Sequence, residues 1–190
     1  GNSPVKLSGV TAASANDAGI VALSIADSTI TVDGFSTATG ATHGIVGSTF
    51  SGTAALVVSH STATGGTGNG IKAGAFSGAG VSLAVTACEA TTTAGTAGIA
   101  AATWSTGGTI AIAGGSYTSF AQAVLFSGAL SSASVSVSGS ALATLDGAGA
   151  TAVHFAGAVS STPITIADTS VTTVIAGAAD PQDTGLAYLL

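Results

Sequence analysis

Arginine and methionine are absent from this 190-residue chain, and lysine occurs only as Lys6 and Lys72. Two cations cannot neutralise a track of phosphates, so nucleic-acid binding is set aside. Charge of either sign is scarce, at 5% of residues against roughly 25% in ordinary domains. Residues 90–145 hold no Asp, Glu, Lys, Arg or His, although a surface meant to stay unassociated usually carries charge. The one cysteine, Cys88, cannot close an internal disulfide. No run of about 18 apolar residues escapes interruption by Gly, Ser or Thr, which argues against a membrane-spanning helix. Asn2, Asn16 and Asn69 all lack the Asn-x-Ser/Thr pattern of N-glycosylation. The missing Met points to a chain cut from a longer precursor, and the near-absence of tryptic sites suits life outside the cell.

What is present is small and apolar: 28 Gly and 46% hydrophobic residues, with a formal net charge of −6. Disordered chains combine low hydropathy with high charge, the opposite balance. The stretch from Ser28 to Gly78 is nearly one sentence said twice, STITVDGFSTATGATHGIVGSTFSG and then TAALVVSHSTATGGTGNGIKAGAFSG. Self-similarity at such a period marks stacked repeats. Extending it gives one column, Val5, Ile30, Leu56, Leu83, Ile110, Val135 and Ile164. A second lies two residues on: Leu7, Val32, Val58, Val85, Ile112, Val137 and Ile166. Alternate residues of a strand face one way, so both columns can point into a common core.

A second strand is expected in every coil at Ile20, Ile45, Ile71, Ile99, Val124, Val153 and Val174. Ile25, Phe50, Phe76 and Trp104 follow five positions later in the first four coils. Coils five and six change to AVLFSGALSS and AVHFAGAVSS. Gly-rich turns such as Thr39-Gly40, Gly65-Gly66 and Gly95 are expected between the two strands, supplying positive φ. The expected fold is all-β: a single-domain parallel β-solenoid (β-helix) of about seven coils, 25–29 residues each, over residues 1–175. Residues 176–190 form a C-terminal tail or cap. A β-sandwich also alternates strands and turns, but it does not explain columns that hold register over seven repeats.

The phrases GNGIKAGAFSG and THGIVGSTFSG, each after an LVV or ITV strand, resemble the right-handed parallel β-helix (pectin-lyase-like) superfamily. Right-handed winding is implied by that resemblance alone. Enzymes of the superfamily cleave acidic polysaccharides with clustered Asp, or with Ca2+-binding acids and an Arg. Here Arg is missing and the acids stand singly. Asp33 has Ser8 and Ser59 as column neighbours, Glu89 has Thr62 and Ser116, Asp168 has Gly139, and Asp146 sits in a turn. A glycosidase needs two carboxylates at a set separation, and Ca2+ needs six or more oxygens.

Asp33 and His60, on adjacent coils, are the nearest approach to a catalytic pair and are read as a turn Asp beside a rim His. His43 reads as a turn residue, and His154 as a satisfied, half-buried His at the position of Leu125. Cys88 aligns with Phe35 and Ser61 as a small buried thiol. Trp104 is read as core, with stacking on a sugar as its alternative. The S-T-A-T and A-T-T-T phrases could rank Thr hydroxyls on one face, resembling ice-binding arrays, or carry O-linked glycans; the plain reading is β-propensity on a solvated face.

No catalytic, cofactor-binding or metal residue is assigned. The expected function is a non-enzymatic structural subunit of an extracellular filament or surface layer. It would self-assemble through uncharged Ala/Gly/Ser/Thr-rich flanks and solenoid ends, with the tail residues Leu186, Tyr188, Leu189 and Leu190 docking on a neighbouring copy. The alternatives are a stalk or passenger fragment of a secreted adhesin, and a polysaccharide-active β-helix enzyme.

Overall fold

The structure is a computed structural model that describes residues 3–145 and 150–173. Among them there is no helix, hence none long and apolar enough to cross a membrane. The first turn runs through Val5–Ser8 (β1), Thr11–Ser14 (β2) and Ile20–Ala26 (β3). Each later turn passes the same three faces, and each strand pairs in parallel with the corresponding strand of an adjacent turn. The result is a parallel β-solenoid with three sheets: A, which begins at β1; B, which begins at β2; and C, which begins at β3.

Both expected columns are present, rung on rung. Val5, Ile30, Leu56, Leu83, Ile110, Val135 and Ile164 are successive partners in sheet A, and the Leu7 to Ile166 column runs beside them. Leu56, Val58, Leu83 and Val85 are wholly enclosed. Seven passes through sheet A bound about six turns rather than the expected seven coils, because the first and last passes are each one wall of an incomplete circuit. At about 4.8 Å per rung the described shaft is roughly 30 Å long.

The expectation of two strands per coil is corrected. Thr37–Gly40, Thr62–Gly65, Glu89–Thr92, Ser116–Ser119 and Ala141–Thr144 form a third sheet where Gly-rich turns were expected. Gly40 and Gly65 end strands of this sheet and are not at positive φ. They are required for closeness instead: a Cβ would lie 1.9 Å from the His43 carbonyl at Gly40 and 2.3 Å from the Asn69 carbonyl at Gly65.

Sheet C carries the bulk of the core. Ile25, Phe50, Phe76, Trp104, Leu130 and Val159 form one column. Phe50 and Phe76 stack with centroids 4.6 Å apart, and Phe76 and Trp104 with centroids 4.2 Å apart. The neighbouring column reads Ala22, Gly47, Ala73, Ala101, Phe126 and Phe155. Large side chains therefore change column after Trp104. Phe126 and Phe155 stack at 4.6 Å where Ala73 and Ala101 stood, while Leu130 and Val159 replace the rings. The altered phrase of coils five and six is thus a volume exchange between two columns, of the kind a close-packed core requires. Val174, the last member expected in the second-strand column, lies outside the described residues.

Candidate functional site

Sheet A turns into sheet B through two residues in six of seven passes: Gly9-Val10, His60-Ser61, Ala87-Cys88, Gly114-Gly115, Gly139-Ser140 and Asp168-Thr169. The first of each pair is left-handed, with φ between 46° and 65°. In four of the six the second residue turns its side chain back to the end of sheet A. Ser61 donates to the Ser59 carbonyl (2.8 Å), Ser140 to Ser138 (3.0 Å) and Thr169 to Ala167 (2.9 Å), while the Cys88 thiol lies 3.3 Å from the Thr86 carbonyl. Gly115 has no side chain to do this. Tyr117 substitutes from inside the core, its hydroxyl donating to the Gly114 carbonyl at 2.8 Å. Burial pushes the Tyr117 phenol and the Cys88 thiol up, leaving both neutral and the thiol a poor nucleophile.

The second pass departs from this rule. Its corner is Gly34-Phe35-Ser36, one residue longer, with both Gly34 (φ 64°) and Phe35 (φ 61°) left-handed. Ser36 takes the inward place and donates to the Asp33 carbonyl at 2.6 Å. Phe35 is expelled and stands 84% exposed. Cys88 therefore aligns with Ser36 and Ser61, correcting the alignment with Phe35. The Phe35 ring leans on His60, with centroids 6.3 Å apart and planes tilted by 59°.

Below Phe35 opens a groove of about 550 Å³ crossing four turns, floored by Thr37, Thr62, Glu89 and Ser116, with His60 and Cys88 along its corner side. Thr37, Thr62, Glu89 and Ser116 are successive partners in the outer column of sheet B.

Asp33 does not pair with His60. It bridges to Lys6 at 2.8 Å, and Lys6 first, then the neighbouring Ser8, hold its carboxyl below the ordinary range, with His60 contributing least. Glu89 has Thr62 and Ser116 beside it, as expected. Asp168 is a left-handed corner residue. Asp146 lies outside the described residues, as do Leu186, Tyr188, Leu189 and Leu190. His43 accepts from the Asn69 backbone, a structural turn role. His154 pairs with Leu125, but its Nδ1 is enclosed without a hydrogen-bond partner among the described residues, so it is not the satisfied histidine expected.

Trp104 is fully buried between Phe76 and Leu130, which removes it as a sugar platform. Among the described residues no three of His, Cys, Asp and Glu come together to hold a metal. The Thr rank is real: Thr39, Thr64, Thr91 and Thr118 are consecutive partners on the outer face of sheet B, with the Thr91 and Thr64 hydroxyls 3.4 Å apart. It gives way to Ala143 at the next rung.

The groove under Phe35 was missed by the sequence reading. Its signal was a spacing: five positions separate Val32 from Thr37, against four from Val58 to Thr62. No family model, curated protein or solved structure matches this chain.

Proposed function

We propose that the chain is a non-enzymatic structural subunit of an extracellular filament or surface layer, polymerising with copies of itself. The observation that supports this most is the β1–β2–β3 end. These strands stand at the outer edges of their sheets, so each presents one unpaired backbone edge among the described residues. The same turn exposes apolar side chains, Val5 and Val21 at 47% and Leu23 at 69%. An open strand edge with apolar exposure invites pairing with another chain. Among the described residues the opposite end repeats the same columns, with Ile164 and Ile166 where the first turn has Val5 and Leu7. A copy stacked end to end would continue both the ladder and the core, and such a heterologous contact does not close.

The flanks favour lateral contact as well, since sheet A presents Ala84, Ala111 and Ser136 outward in successive turns. Right-handed winding of the pectin-lyase-like type belongs to this proposal, as do docking by the 186–190 segment and O-linked glycans on the Thr-rich face. Electron microscopy of the purified chain is the test. Regular polymers that Leu23→Lys abolishes support the reading. Solitary short rods in the unmodified protein overturn it in favour of an adhesin stalk, and turnover of acidic polysaccharide overturns the non-enzymatic part.

A further inference from the structure

We infer that the groove beneath Phe35 is a binding subsite for a neutral or N-acetylated pyranose oligosaccharide. The inference is independent of whether copies polymerise. The starting point is a conflict. Six corners manage with two residues, but the second spends a third on a large aromatic in left-handed backbone, where bulky side chains are rare. The ring stands almost fully in water although the chain has only nine aromatic residues and encloses Phe50, Phe76, Trp104, Tyr117 and Phe126. Strain combined with apolar exposure serves neither the core nor the ladder, and such outliers gather at binding sites.

The chemistry below the ring narrows the ligand. An aromatic face packs on the C–H face of a pyranose, while hydroxyls and a carboxylate pair with ring hydroxyls. The groove supplies Phe35 above, Thr37, Thr62 and Ser116 as both donors and acceptors, and Glu89 as an acceptor. Its volume, about 550 Å³, lies inside the range of about 300–1,000 Å³ usual for small-ligand clefts. Four rungs at about 4.8 Å span about 14 Å along the shaft, room for a short oligosaccharide rather than a single sugar.

Charge excludes the competitors. Glu89 is the only carboxylate lining the groove, and neither lysine lines it. Lys6 is engaged by Asp33, and Lys72 lies on sheet C. Uronic acids, sulfated sugars and phosphates would meet Glu89 with no lysine or arginine to offset it, His60 being the one basic side chain along the groove. A second copy of this chain is a poor occupant for the same reason, since it has only those two lysines to offer Glu89.

The test is titration of the full chain with chitotetraose and cellotetraose, and with trigalacturonate as the acidic probe, read by calorimetry and amide NMR. The expected result is binding of a neutral probe, with Kd on the order of millimolar or tighter, and shifts at Thr37, Thr62, Glu89 and Ser116. Phe35→Ala should weaken it at least about tenfold. Phe35→Gly, which suits left-handed backbone, should do the same and so separates loss of the ring from rearrangement of the corner. Phe120→Ala, an exposed aromatic outside the groove, should leave affinity unchanged. Silence of the four groove amides with both neutral probes overturns the inference. So does unaltered affinity in either Phe35 variant, or tighter binding of trigalacturonate.

Discussion

The imidazole Nδ1 of His43 accepts a hydrogen bond from the backbone N–H of Asn69, 2.8 Å away and one turn further along. Asn69 repeats the gesture, its Oδ1 accepting from the Thr96 hydroxyl at 3.0 Å and the Ala97 backbone at 3.1 Å. Asp17 begins the series by accepting from the Thr42 hydroxyl at 3.0 Å. Successive turns are thus stitched at the corner between sheets B and C by side chains standing in for ladder carbonyls.

This makes the fold sensitive to mild acid. Burial, helped by Lys72 and opposed by Asp17, holds His43 below its ordinary value of 6.5. The unfolded chain therefore takes up a proton first as pH falls. Stability is fully present above about 6.5 and is lost as pH drops towards and through the folded value. Protonation also turns the Nδ1 acceptor into a donor facing another donor. The thermal midpoint should fall between pH 7.5 and pH 5, and His43→Asn should flatten that slope. Asp33 acts in the same direction, but only as pH falls below its ordinary value of 3.8.

Asn69→Ala should cost about 1–3 kcal/mol, because the fully enclosed Ala97 N–H loses its acceptor. Denaturant unfolding of the variant measures the loss. Asn69→Asp, which keeps an acceptor, should recover part of it at neutral pH.

In the aromatic stack, Phe76 touches a ring on each side and is 1% exposed. Phe76→Ala should cost about 3–5 kcal/mol. Trp104→Phe should be far milder, since the enclosed indole N–H has no hydrogen-bond partner among the described residues and its removal offsets part of the lost volume. Equal losses for the two variants would show that the stack does not transmit the packing described.

The left-handed corners give a cleaner pair of variants. A Cβ on Gly139 would meet nothing closer than 3.8 Å, yet φ is 57°. Gly139→Ala should therefore destabilise by about 1 kcal/mol through backbone strain alone. Ala87 already bears that strain at φ 50°. Ala87→Gly should be neutral to stabilising, by up to about 1 kcal/mol, in thermal melts of both proteins side by side.

Sheets A and C were legible because their inward residues are large and recur at fixed spacing, as Val32, Val58 and Val85 do. Sheet B was read as turns because its inward residues Ala38, Ala63 and Ala90 carry little hydrophobic signal, and its strands are four residues long with Gly at two of their ends. The column exchange at Phe126 was visible as a changed phrase, but its meaning needs the partner column, where Ala101 faces Phe126 across the ladder. Tyr117 was opaque for another reason. Its hydroxyl fills a vacancy two residues earlier, at Gly115, a relation no periodicity expresses. The Phe35 groove was hidden by aligning Phe35, in place of Ser36, with Ser61 and Cys88, which absorbed the extra residue.

The lengthened corner after Asp33 leaves its surroundings in step: Val32 still faces Val58 before it, and Thr37 still faces Thr62 after it. Growth at this edge is therefore decoupled from the winding of the spindle. One added residue there leaves the three walls of the solenoid unchanged, so this corner is the natural place to test longer loops. A row of such outgrowths spaced one rung apart would form a programmable strip for display along the whole length of the rod.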